Sequence, residues 1–204
     1  MKGKAFILCL GLLIVTSTVS KSQQLNTIRK NDIRLSYGTA TLPMAAVGFG
    51  GMFISIGHAI IHDSILSSTL TSFGSLSFQY QYIFGKVLRF GGMITYQPIV
   101  DKYLFKKGEH TQTDSYNIFT LMPRVDFAYL NRGIFSLYSG FAVGLMVSTY
   151  NHNYSWQPDI SGIDANVAFQ LNAIGIRVGK DLGGFIEFGT GFQGLINLGF
   201  SAKL

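Results

Sequence analysis

Between residues 184 and 204, GFIEFGTGFQGLINLGFSAKL, the chain alternates with a period of two. Ile186, Phe188, Thr190 and Phe192 fall on one side of an extended backbone, and Glu187, Gly189, Gly191 and Gln193 on the other. After a tight link at Gln193 and Gly194, Ile196, Leu198, Phe200, Ala202 and Leu204 oppose Asn197, Gly199, Ser201 and Lys203. Successive side chains of a strand point to opposite faces, so this is a hairpin with one dry and one wet face. A water-soluble barrel keeps apolar side chains in its cavity and charge outside. Here the bulky face has almost no charge, and glycine, small polar and ionised residues share the other. The pattern predicts a barrel turned inside out, with lipid as its outer solvent.

The same alternation predicts six more strands upstream. In 32–40, Ile33, Leu35 and Tyr37 face outward against Asp32, Arg34, Ser36 and Gly38. In 75–84, Leu76, Phe78, Tyr80, Tyr82 and Phe84 oppose Ser75, Ser77, Gln79 and Gln81. The third, 88–97, sets Leu88, Phe90, Ile94 and Tyr96 against Arg89, Gly91, Met93, Thr95 and Gln97. The fourth, 119–129, puts Thr120, Met122, Arg124, Asp126 and Ala128 on its inner face. The fifth, 135–146, places Ser136, Gly140, Ala142 and Gly144 inward, leaving room for neighbours such as Tyr138. The sixth, 166–179, loses phase near Gly175, which predicts a bulge there.

Link lengths give an independent signal. Those after the second, fourth and sixth strands are turn-like (85–87, 130–133 and 180–183), whereas those after the first, third and fifth are long. Short periplasmic turns and long outer loops are the polarity of an exported barrel, and both chain ends on one side require an even strand count. Strands of about ten residues suffice to cross a bilayer at the usual tilt. Aromatic residues at strand ends (Tyr37, Tyr82, Phe84, Tyr96, Tyr116, Tyr129) suit interfacial girdles. The expected fold is all-β, an eight-stranded antiparallel transmembrane β-barrel. Eight strands leave an interior just wide enough for side chains to fill, so a closed lumen is expected.

Composition fits this reading. A mean hydropathy of +0.31 with 48% hydrophobic residues comes without a stretch long and apolar enough for a spanning helix, apolar residues being diluted along alternating strands. The start reads as an export signal: Lys2 and Lys4, an apolar run from Ala5 to Val15, then Ser20 and Ser22 in cleavage-like positions. The expected organisation is a cleaved signal peptide at 1–22 and one barrel domain at 23–204. Cys9 lies in the signal, so disulfides and cysteine metal sites are excluded from the mature chain. Without Lys2, Lys4 and Lys21 the 16 basic residues become 13 against 10 acidic ones. The high pI is thus partly the signal's and does not argue for nucleic acid.

With these features, the chain resembles the eight-stranded outer-membrane β-barrel proteins of the OmpX and OmpA-transmembrane type, in particular the small variants of Bacteroidota. DIRLSYG, LMPRVDFAYL, SLYSGFAVGL, VAFQLNAIGIRVG and FIEFGTGFQGLINLGFSAKL carry the resemblance. It implies insertion into the outer membrane of a Gram-negative cell by the barrel assembly machinery, and no substrate. Leu204 stands where proteobacterial barrels commonly end in an aromatic residue.

The candidate chemistry is luminal. Arg34, Arg89, Arg124, Asp126, Glu187 and Lys203 all face inward towards the periplasmic half. Ions in a sealed lumen must pair, since an isolated buried charge costs several kcal/mol. The expectation is a salt-bridged plug centred on Glu187 and Asp126 with Arg89 and Arg124; a gated ion path is the alternative. The first link, 42–70, is the oddest segment. Pro43 suits a short helix after Thr41, weakened by Gly48, Gly50, Gly51 and Gly57, and the apolar content favours packing against the barrel or membrane. His58, His62, Asp63 and Ser64 in that link, and His152 with Ser155, invite a lipid-modifying enzyme, yet no catalytic motif joins them. His58 and His62 alone are an incomplete metal site. The second link carries Lys102, Lys106, Lys107, Glu109 and His110, suited to lipopolysaccharide phosphates; the third carries Tyr150, Tyr154 and Trp156, suited to a glycan or protein. The bland reading of both is an ordinary polar surface loop. The expected role is structural or surface-interacting, in envelope integrity or adhesion, with no enzyme activity and no cofactor. A lipid-modifying enzyme and a narrow ion channel are the alternatives.

Overall fold

The computed structural model describes residues 29–48, 65–105, 111–132, 134–155 and 158–204. The expected signal segment with Cys9, the cluster His58, His62, Asp63 and Ser64, and Lys106, Lys107, Glu109, His110 and Trp156 lie outside the described residues. Among the described residues, period-two patterning yields nine antiparallel strands: β1 (Asn31–Thr39), β2 (Ile65–Ser72), β3 (Ser75–Phe84), β4 (Leu88–Phe105), β5 (Thr111–Arg132), β6 (Phe135–Tyr154), β7 (Ile160–Gly179), β8 (Leu182–Gly191) and β9 (Ile196–Lys203). The sheet runs β2-β4-β3-β1-β9-β8-β7-β6-β5, and β4 pairs β5 to close a ring of eight strands. The seam between β1 and β9 is reinforced where Asn31 and Leu204 exchange backbone hydrogen bonds at 3.3 and 2.8 Å.

Eight ring strands match the expectation, and the ninth corrects the first link. Residues 65–70, expected in that link, belong to β2. Both β2 and β3 pair β4, β2 along 99–105 and β3 along 88–96, so they are one strand line broken at Phe73 and Gly74. Gly74 takes φ +83, and an added Cβ would sit 2.4 Å from the Gly38 carbonyl oxygen. The break therefore needs a residue without a side chain. Residues 42–48 form a short helix, α1. Thr41 Oγ1 accepts from the Met44 amide at 3.3 Å and caps it, while donating to Gln97 Oε1 at 2.8 Å.

Strand length divides the ring. β1, β3, β8 and β9 hold 9, 10, 10 and 8 residues, near the expected ten, but β4 to β7 run 18, 22, 20 and 20. Much of the expected second and third links is therefore strand. Alternation continues there, but the outward face switches to Thr111, Thr113, Ser115 and Asn117 on β5 and to Thr149, Asn151 and Asn153 on β6. Without apolar residues, that face resembles a loop in sequence although the backbone ladder continues. We call the end with the short turns the turn end and the other the loop end.

Burial is inverted relative to a soluble barrel. Inward residues Arg34, Arg124, Asp126, Glu187, Gln79 and Gln81 are buried, while outward Leu121, Leu145 and Phe200 are 61%, 65% and 79% exposed. A small apolar layer, Met93, Met122, Ala142 and Ala168, fills the lumen between the charged groups and the loop end, with Met146 and Phe192 packed on it. Phe192 was expected outward. Gly191 and Gly194, at φ +141 and +126, end the alternation of β8 and turn that ring onto the apolar layer. Tyr116, expected in a girdle, faces inward opposite Tyr150, because β5 continues in phase through it. Tyr37, Tyr96, Phe84 and Tyr129 do lie on the outward face. The register shifts of β7 fall opposite Ser139 and at Ala173, in the stretch where a bulge near Gly175 was expected. Gly175 makes room for the Tyr138 ring, which an added Cβ would meet at 2.5 Å.

Candidate functional site

The luminal charges begin as same-face pairs on single strands. Asp32 and Arg34 on β1, and Arg124 and Asp126 on β5, are two residues apart, so each pair projects into the lumen together. Arg34 Nε and Nη2 each lie 3.0 Å from Asp32 Oδ2, and Arg124 Nε donates to Asp126 Oδ1 at 2.8 Å. Glu187 on β8 joins the two pairs. Its Oε1 accepts from Arg124 Nη2 at 2.7 Å, Tyr138 Oη at 2.8 Å and Arg34 Nη1 at 3.4 Å. Its Oε2 accepts from Asn172 Nδ2 at 2.7 Å and Arg124 Nη1 at 3.3 Å. Asp126 Oδ2 accepts from Gln81 Nε2 at 2.7 Å and Arg34 Nη1 at 3.3 Å. Tyr138 is stacked under the Arg34 guanidinium, 4.9 Å from its ring centre. Gly140 supplies the space: a Cβ there would meet Asp126 Oδ1 at 2.2 Å.

Of the six residues named from sequence, the structure joins Arg34, Arg124, Asp126 and Glu187. Arg89 departs from its expected place. It stands opposite Asp126 in register, but that carboxylate is already held by Arg124, Gln81 and Arg34. Arg89 turns instead to Ser136 Oγ at 3.2 Å and to the face of Tyr138, and its Nη1 has no hydrogen-bond partner among the described residues. Lys203 lies half-buried at the turn end with no ion pair among the described residues. Sequence reasoning missed Asp32, Tyr138, Asn172, Gln81 and Arg177 as members. For Asp32 the signal was present, since it faces inward two positions before Arg34. Arg177 is buried nearby and donates to Ser201 Oγ and to the carbonyls of Gly179, Lys180 and Asp181, clamping the β7–β8 turn.

Chemically, this is a brace. The carboxylate oxygens of Glu187 are taken up by donors from β1, β5, β6 and β7. Charge-assisted bonds of this kind are the stronger protein hydrogen bonds, and removing one member leaves the rest buried and unpaired.

A second cluster lies on the inner face at the loop end. Asp101 and Asp114 are directly opposed and buried, Tyr103 Oη donates to Asp101 at 2.7 Å, and His152 Nδ1 lies 2.7 Å from Asp114 Oδ1. The rings of Tyr116, Tyr150 and Tyr154 stand 5.8, 5.3 and 6.4 Å from that of His152. Burial, helped by Asp101, raises the Tyr103 phenol; Tyr116 is pushed up to about 12 by burial and Asp114. Ser155 Oγ accepts from the Thr111 amide at 3.0 Å, so its hydroxyl closes the hairpin. No group of three or more histidine, aspartate or glutamate residues suited to a metal is found among the described residues. No protein-family model matches this chain, and no curated protein matches it either.

Proposed function

We propose that this chain is an integral outer-membrane β-barrel with a closed, side-chain-filled lumen, which presents its loop-end sheet to partners at the cell surface in envelope integrity or adhesion. One observation carries the reading: a ring that buries arginine, aspartate and glutamate while turning leucine, isoleucine and phenylalanine outward on every strand. In water a continuous apolar belt of that kind drives association; in hydrocarbon it is the solvated side. The aromatic residues at both edges of the belt suit the headgroup level.

The closed lumen is supported by the brace and by the Met93, Met122, Ala142 and Ala168 layer above it. The surface role is supported by the shape of the long wall. Beyond Phe169, whose carbonyl accepts from the Phe192 amide, β7 continues back to Ile160 with its outer edge unpaired among the described residues. An unpaired edge is a template for strand addition.

Membrane fractionation with gel migration of heated and unheated samples tests the architecture. The expected result is recovery with the outer membrane and a folded band that shifts on heating; a soluble periplasmic protein overturns it. In planar bilayers the expected record is flat, and steady, sizeable conductance removes the closed lumen.

A further inference from the structure

Charge is unevenly distributed along the barrel axis. Beyond the brace, the turn end exposes Lys30 before β1, Lys86 in the β3–β4 turn, Arg132 at the end of β5 and Lys180 in the β7–β8 turn. Among the described residues the acidic side chain on this rim, Asp181, is 3.2 Å from Arg29. Behind the rim, Lys203 and the buried Arg89 also lack a carboxylate partner among the described residues. The described part of the loop end has the opposite balance: Asp101, Asp114, Asp159 and Asp164 against Lys102.

The rim cations are spaced around the ring, because the turns fall between alternate strand pairs. They cannot converge on one small anion. Three of them also adjoin exposed apolar side chains: Phe84 and Val87 beside Lys86, Ile134 beside Arg132, and Val178 and Leu182 beside Lys180. A long basic side chain at such a boundary lays its stem on the apolar belt and its charge in the polar layer. The matching partner is a negative surface that meets the belt edge all round, which is the chemistry of phosphate head groups in an anionic bilayer leaflet.

We propose that the turn-end rim binds anionic phospholipid head groups, selecting them over zwitterionic ones. This rests on the membrane-barrel reading above. The experiment is native mass spectrometry of the full-length barrel in detergent, offered equal amounts of phosphatidylglycerol and phosphatidylcholine. It is run beside a Lys86→Gln, Arg132→Gln, Lys180→Gln variant whose heat-modifiable band confirms folding. The expected result is several-fold more phosphatidylglycerol than phosphatidylcholine retained, falling towards parity in the variant, with excess inorganic phosphate failing to displace the lipid. Equal retention by the unaltered protein, or a preference that survives in the variant, overturns the proposal. Displacement by inorganic phosphate also overturns it, pointing to a free-anion site. Insertion into phosphatidylcholine vesicles separates the two readings: a barrel that inserts but shows no preference overturns this inference alone, whereas one that does not insert overturns the membrane reading as well.

Discussion

At the turn end, β1, β3, β5, β6, β7 and β8 are joined through the lumen by Arg34, Gln81, Arg124, Asp126, Tyr138, Asn172 and Glu187, so the ring is tied across its diameter. At the loop end, β4 to β7 rise past their shorter neighbours and are held chiefly by their ladders and by local pairs such as Asp114 with His152. A change in the first region is felt on strands far apart in sequence. A change in the second stays between neighbours. The difference separates a part that fixes the barrel's shape from a part free to vary in what it presents.

Glu187→Ala should break that comparison most severely, removing one of the two carboxylates that Arg34 and Arg124 share and costing about 3–5 kcal/mol in urea unfolding of the reconstituted barrel. Next, Leu145→Arg on the outward face should cost about 2–4 kcal/mol in a bilayer, where the guanidinium faces hydrocarbon. The side chain is already 65% exposed, so a barrel living in water would show almost no change; unfolding in lipid vesicles distinguishes the two. Gly91→Ala should cost about 1–3 kcal/mol by the same measurement, because its Cβ would fall 1.8 Å from the Tyr80 carbonyl oxygen in the paired strand. Smallest is His152→Ala, expected to lower stability by about 1 kcal/mol or less, since its partly exposed pair with Asp114 is screened. A loss from His152→Ala as large as that from Glu187→Ala would remove the distinction between the two ends.

Strand positions were legible because one face of each short strand is bulky and uncharged, a signal that survives without knowing the partners. The inward direction of Arg34, Arg124, Asp126 and Glu187 followed from the same parity. Which of them pair did not, because that depends on which strands meet across the lumen and on the side chains already filling it. Arg89 was expected in the plug around Glu187 and Asp126, yet Arg34 reaches both carboxylates from the other wall. The loop-end extensions of β5 and β6 escaped notice because threonine, serine and asparagine replace the bulky apolar residues on their outward face, so no dry side marks the period. The inward turn of Phe192 was hidden in two glycines whose backbone angles only the folded chain reveals.

The seam between β1 and β9 has a consequence for the order of assembly. Arg29 bonds to the Lys203 carbonyl across 174 positions of sequence, and Asn31 with Leu204 closes the same gap. Neighbouring hairpins such as β5 with β6 need only local contacts, but the seam unites partners that all the other strands separate. Long-range pairings of this kind form slowly. Closure should therefore come late, with a curved open sheet preceding the ring and its charged interior still reachable by water until the last pair of strands meets.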